Sequence, residues 1–425
     1  MQPSRGHTTA PGSRLPARDP AGGRYPRGRR RRARAGARRI ALAVGAAVAS
    51  AVVLVTASAA QAGAEYWAHE AGGVIPNDTG IPGQGGAPGD WQSAQWNFTG
   101  PYGVQAPQAW ANVAAEGAPG GRDVIVAVLD TGVAYMNRGR FRRSPDFSRY
   151  GFVQGYDFID RSRYANDRNG HGTFVAGTIA EATNNHYGLT GLAFAARIMP
   201  VRVLNDEGEG DATTIAKGVR FAVNHGARVI NLSLEFSSDV TAGDIPQLTR
   251  ALRYAYRHRV VVVAAAGNEG HAAIAYPARA PHVIAVGAST EHGCLANYSN
   301  DGSRLTLVAP GGGADAYLPG DPNCRPTEPP GRDVFQMTFA GSSPRVFGFP
   351  GGYEGTSMAA PHVAATVALM IAGRVLGRRP TVAQITRRLR ATARRLGDPG
   401  DARLYGAGLL DAAAATARGG PGYVG

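Results

Sequence analysis

Six runs of nearly unbroken Val, Ile, Leu and Ala, at 123–129, 197–204, 227–234, 260–266, 283–286 and 305–308, punctuate the chain. Such continuous apolar character predicts strands buried on both faces. Helical spacing fills much of the intervening sequence, at 172–182, 212–225 and 247–256, and returns at 355–372 and 381–396. In the last of these, Val382, Ile385, Leu389 and Ala393 recur on one face. Strands alternating with helices imply right-handed crossovers, so the expected fold is α/β, three layers (α/β/α) around a mostly parallel central sheet. Functional residues in such sheets gather at the carboxyl ends of strands. Asp130 follows one predicted strand directly, and Asn268 follows another.

The chain has 425 residues, 44% of them hydrophobic and 18% charged, enough to bury a large core. Around the α/β body of 101–417, composition predicts an extended arm or linker at 63–100, rich in Gly, Pro, Asn and Gln. It also predicts a Gly/Pro-rich surface insertion at 311–349 and a flexible tail at 418–425. The formal charge of +14 changes meaning once located, because residues 1–39 hold twelve arginines against the single acid Asp19. With the basic tail set aside, the remainder is close to neutral, which argues against nucleic acid as a partner.

Residues 40–62 run from a charge-free Ala/Val/Leu/Ile stretch at 40–60 to Ala60-Gln61-Ala62. Behind a basic segment this reads as a secretory signal ending at a small-residue cleavage site, or as a membrane anchor if it is not cut. Arg38-Arg39 is a weak match to a twin-arginine signal, and no second apolar run of spanning length follows. Secretion is therefore expected, with membrane attachment only through 40–60. Cys294 and Cys324 are the only cysteines. In an oxidising compartment they are expected to pair, stabilising the fold by roughly 3–4 kcal/mol through loop closure; two buried free thiols are the alternative.

Three Gly-rich segments carry candidate chemistry: Leu129-Asp130-Thr131-Gly132, Asn169-Gly170-His171-Gly172-Thr173 and Gly355-Thr356-Ser357-Met358-Ala359-Ala360-Pro361. A serine hydroxyl is a weak nucleophile at neutral pH and needs an imidazole to take its proton, held in turn by a carboxylate. A lone histidine is more often a cap or core residue. Here His171 opens a predicted helix, Asp130 ends a strand and Ser357 starts a second helix, whose N–H groups suit a nearby oxyanion. Asp130-Thr131-Gly132 also spells the aspartic-protease motif, but that chemistry needs two copies and one is present.

These segments, in Asp, His, Ser order, resemble the signatures of the subtilisin-like serine protease family. The resemblance extends from about Tyr102 to Ala417 and includes Ala106-Pro107-Gln108-Ala109-Trp110, Asn231-Leu232-Ser233-Leu234, Ala265-Ala266-Gly267-Asn268-Glu269-Gly270 and Tyr405-Gly406-Ala407-Gly408-Leu409. It implies a monomeric secreted endopeptidase acting on polypeptides. Ser357 would be the nucleophile, His171 the general base and Asp130 its partner, with the Asn268 side chain in the oxyanion hole. A catalytically silent peptide-binding module is the alternative; it would be expected to have lost one of these four.

The same resemblance places extended peptide between Gly208-Glu209-Gly210 and Ser233-Leu234-Glu235. The P1 pocket would be walled by the second segment and by Ala265-Ala266-Gly267, with Glu269 near its base. Glu235-Phe236 stands where many relatives carry glycines. With Asp206, Glu207, Glu209 and Asp211 on the opposite rim, an acidic cleft favouring basic or polar P1 and P4 side chains is one expectation, and a solvated acidic loop without effect the other. Residues 183–189 resemble the family's calcium loop, implying ligation by the Asn185 side chain, the carbonyls of Thr183, Tyr187 and Leu189, and Asp146. The pattern's N-terminal ligand has no clear counterpart, and the carbonyls of Ala278, Ala280 and Val283 resemble a second, weaker cation site. Calcium would be structural, and the chemistry needs no cofactor. Residues 63–100 lack the strands and helices of the pro-domain common in exported relatives, so the catalytic domain is expected to fold without one. Phe174 replaces a second histidine of the family pattern, outside the triad.

Overall fold

The computed structural model describes residues 75–397 and 401–420. The leader at 1–62, most of the tail after 418, and residues 63–74 of the expected arm lie outside the described residues. Seven parallel strands form the central sheet: β1 (Ile125–Asp130), β2 (Tyr156–Asp157), β3 (Arg197–Arg202), β4 (Val229–Leu232), β5 (Val261–Ala265), β6 (Val283–Ser289) and β7 (Leu307–Pro310). Their spatial order is β2-β3-β1-β4-β5-β6-β7. All six predicted strands are present, with shifted ends. Asp123 takes a left-handed backbone (φ 65°), which breaks extension and delays β1 to Ile125. The short edge strand β2 carries too few residues to show a pattern.

Helices cover both faces, as the alternation predicts. One face packs α3 (Ala106–Ala115), α4 (His171–Ala180) and α7 (Thr356–Ala372) over Val126, Val128, Ile198 and Val263. The other packs α5 (Ala212–Asn224) and α6 (Pro246–Arg257), whose Leu248, Ala251, Leu252 and Ala255 recur at helical spacing and are buried. α8 (Val382–Thr392) begins with a capping box between Thr381 and Gln384. It ends before the predicted Ala393 turn, because Ala393 is extended. Among the described residues no helix is long and apolar enough to cross a membrane.

Two segments depart from expectation. Residues 75–100, the described part of the expected arm, are packed into the body. Short helices α1 (Trp91–Ala94) and α2 (Trp96–Thr99) bury Trp91, Trp96 and Phe98. Each indole N–H finds a carbonyl, Trp91 at Pro76 (2.9 Å) and Trp96 at Asp333 (3.0 Å). Asn97 pairs with the ring of His362 inside α7 (2.8 Å), tying this segment to the helix that carries Ser357. The 311–349 excursion is surface chain only in part, since Val334, Gln336, Met337, Thr338 and Phe339 are buried. It holds a two-stranded antiparallel ladder, β8 (Thr338–Phe339) with β9 (Phe347–Gly348). Thr338 donates to the Gly170 carbonyl beside the histidine. Cys294 and Cys324 are joined by a disulfide.

Candidate active site

Asp130 ends β1 at the carboxyl edge of the sheet and is fully buried. Its Oδ1 accepts the Thr131 backbone N–H (2.7 Å) and faces Nδ1 of His171 at 2.8 Å. His171 is the first residue of α4, and its approach depends on its neighbours. Gly170 takes φ 108°, a left-handed turn that turns the chain into the helix. A Cβ at Gly172 would strike the Gly132 carbonyl and crowd the Asp130 side chain, so only glycine lets α4 come this close.

A residue absent from the sequence reading holds this loop. The buried Asp167 accepts the N–H groups of Asn169 (2.9 Å) and Gly170 (3.1 Å) and the Thr131 hydroxyl (2.9 Å) on Oδ1. Its Oδ2 accepts the Thr173 N–H (2.9 Å) and hydroxyl (2.6 Å). The only sequence signal for it is an acid four residues before His171 in an Asn/Gly-rich turn. Burial alone would lower the His171 pKa, but the charge and hydrogen bond of Asp130, with the charge of Asp167, reverse that and raise it above the ordinary histidine value.

Ser357 occupies the first turn of α7, and its Oγ donates to the Ser233 carbonyl at 3.3 Å, while the Ser233 hydroxyl donates to the Ser357 carbonyl at 2.7 Å. Asn268, after β5, is held on both sides. Its Oδ1 accepts the Thr356 N–H (2.7 Å) and hydroxyl (3.0 Å). Its Nδ2 donates to Oε2 of Glu235 (3.1 Å), and its backbone N–H to Oε1 of the same carboxylate (3.1 Å). Burial and the nearby charge of Glu269 raise the Glu235 pKa despite these bonds.

His171, Ser357 and Asn268 open onto one cavity of about 490 Å³. Its other walls include Gly208, Glu209, Gly210, Ser233, Leu234 and Glu235, so both expected groove segments meet there. Ala265, Ala266 and Gly267 are not among its lining residues: the two alanines are fully buried, and the Gly267 N–H turns to the Thr356 hydroxyl (3.3 Å). Glu269 is not among the residues that line this cavity. It turns to the Ser238 N–H (3.2 Å) and the Asn300 amide (3.5 Å). The acidic rim is also smaller than its sequence suggests. Asp206 pairs with the buried Arg202, and Asp211 caps α5 through the N–H groups of Thr213 (2.8 Å) and Thr214 (3.0 Å). Glu207 and Glu209 remain on the cavity wall.

The expected cation loop does meet Asp146, which accepts from the Asn185 amide (2.8 Å) and the Leu189 N–H (3.1 Å). Asp78, from the expected arm, accepts the N–H groups of Asn184 (2.8 Å) and Asn185 (3.1 Å). Asp78, Asp146 and Glu181 are all fully buried. None is paired with a cationic side chain among the described residues. Desolvation raises all three pKa values, that of Asp78 to about 6. Among the described residues no three His, Cys, Asp or Glu side chains form a ready-made metal cage. At the second, weaker site the Ala280 carbonyl already accepts the Val283 N–H (3.3 Å).

Comparison with known proteins follows the same outline. Residues 121–408 match the family model described as the subtilase family of S8 peptidases. Subtilisin Savinase from Lederbergia lenta is 37% identical over 327 residues, covering 76% of this chain and 99% of that protein. Thermitase from Thermoactinomyces vulgaris is 36% identical over 271 residues, covering 64% and 81%. Among solved structures, a protease from Pseudoalteromonas arctica superposes with a TM-score of 0.63 at 29% identity, covering 81% of this chain and 99% of that one.

Proposed function

The chain belongs to the subtilase family of serine-type endopeptidases, and from that premise we propose that Asp130, His171 and Ser357 are its catalytic triad and Asn268 its oxyanion donor. The observation that carries this reading is the 2.8 Å Asp130–His171 contact opening onto a cavity that Ser357 and Asn268 also line. Ser357 would leave the Ser233 carbonyl and give its proton to His171 Nε2 as it attacks the scissile carbonyl. Free enzymes commonly hold this bond long or misaligned until substrate arrives. His171 would then protonate the leaving amine, with Asp130 stabilising the imidazolium. The tetrahedral oxyanion would be met by the Asn268 amide and the Ser357 N–H at the start of α7. Polypeptide lying between Gly208-Glu209-Gly210 and Ser233-Leu234-Glu235 would bind through main-chain hydrogen bonds.

A fluorophosphonate probe should label the full-length protein stoichiometrically and fail on Ser357→Ala. Labelling that persists in Ser357→Ala, or none in either protein, would refute the assignment. Export through the 40–62 segment is part of the proposal, as is a structural calcium ion held by Asp146, Asn185 and the carbonyls of Thr183, Tyr187 and Leu189. The three buried, uncompensated carboxylates around this loop support a cation there, because desolvated negative charge is costly without one. Calcium would add oxygen ligation and charge neutralisation, while the chain's own residues dock 75–80 onto the loop. Chelation with EDTA should lower the melting temperature by roughly 5–10 °C. An unchanged melting curve would remove the ion.

A further inference from the structure

The oxyanion donor shares its nitrogen with a carboxylate. Glu235 takes both N–H groups of Asn268, the backbone one on Oε1 and the side-chain Nδ2 on Oε2, each at 3.1 Å. Thr356 fixes the opposite side of the same amide. The side-chain amide is therefore held by three hydrogen bonds, two on Oδ1 and one from Nδ2, and one proton on Nδ2 remains for substrate. Two acceptors on one amide nitrogen lie about 5 Å apart. An oxyanion forming there would face the negative charge of the half-buried Glu235 at this short range, and like charges repel.

Glu235 makes no ion pair among the described residues, and no lysine or arginine lines the cavity. The other acids nearby have the same sign: Glu269 behind it and Glu207 and Glu209 on the facing wall. Glu235 also lines the cavity beside Ser357, where a P1 side chain would enter.

We propose that Glu235 is a positioning residue that makes the oxyanion donor's effectiveness depend on the charge of the P1 side chain, favouring arginine or lysine at P1. This deepens the reading of the site as a serine endopeptidase and rests on it. A guanidinium or ammonium group at P1 pairs with the carboxylate, cancels its field at the oxyanion and draws it off Nδ2. A neutral P1 side chain leaves the charge in place. The selectivity is therefore carried by kcat as well as by binding, since the repulsion develops with the transition state.

The test uses full-length wild type and Glu235→Gln, two peptide substrates matched except for Arg or norleucine at P1, and active sites counted by fluorophosphonate labelling. Gln removes the charge and keeps one of the two acceptors that Glu235 offers Asn268. Wild type is expected to turn over the Arg substrate with a kcat about tenfold higher or more. In Glu235→Gln the ratio should fall towards one, with kcat rising for norleucine. A merely structural prop would change both substrates by the same factor, and that result overturns the inference, as does a wild type indifferent to P1 charge. Labelling with an unchanged ratio sinks this inference alone. Absence of labelling in both proteins sinks the protease assignment beneath it.

Discussion

Asp130 ends β1 and Glu235 lies just past the neighbouring strand β4, and each closes a carboxylate on a side chain assigned to the chemistry. The partners differ. Asp130 is fully buried against an imidazole that, in the proposed mechanism, would become cationic as the serine gives up its proton, so the pair would grow stronger towards the transition state. Glu235 is half-buried against an amide that never becomes cationic, while the transition state adds a second negative charge nearby. The same bond type would therefore assist the proposed reaction at one place and oppose it at the other until substrate brings a cation. Proximity of an acid to a catalytic group says little without the charge its partner will carry.

The largest expected effect breaks the favourable half. Asp130→Asn should preserve the fold yet lower kcat/KM by about 10⁴, since an amide holds the wrong imidazole tautomer and cannot balance its charge. A loss below tenfold would mean that Asp130 is only a structural acid. The next sharpens the other half. Asn268→Ala should cost about 10²–10³ in kcat through the missing oxyanion donor. Because Glu235 acts partly through Asn268 and partly by its field at the oxyanion, adding Glu235→Gln to this variant should change the Arg/norleucine kcat ratio less than it does in wild type. A ratio that shifts as fully as in wild type would mean that Asn268 does not carry the effect.

How much of this was legible depended on how local each signal is. The strands could be read because buried parallel strands need near-continuous Val, Ile and Ala, and the three candidate segments stood out because their glycines are required within a residue or two of the proposed functional side chain, as at Gly170 and Gly172. The 75–100 segment was hidden by averaging. Gly and Pro dominate its composition, yet Trp91, Trp96 and Phe98 supply its burial and their partners lie as far away as Asp333 and His362. Asp167 and Thr356 were missed for the same reason, since each gains meaning from residues that only the fold brings near. Glu235 stood out as a departure from the family pattern, but sequence could not show that it turns towards Asn268. Asp206 and Asp211 read as free rim acids because nothing local announces that Arg202 and the start of α5 absorb them.

The smallest effect concerns proton affinity at the Asp130–His171 pair and tests the comparison through two opposed readouts. Because Asp130 lifts the His171 pKa above its ordinary value of 6.5 against the pull of burial, kcat/KM should fall about tenfold per pH unit below a midpoint above 6.5. In Asp130→Asn only the charge of Asp167 still opposes burial, and the midpoint of the residual activity should move down. Stability should respond with the opposite sign. A histidine whose folded pKa exceeds its unfolded one contributes stability that is fully present below the unfolded value and is lost as pH rises through the folded value. Over the interval in which turnover rises, the unfolding free energy from urea melts should therefore decline in wild type, and this component should diminish in Asp130→Asn. Equal slopes in the two proteins would show that the proton is held by something other than this pair.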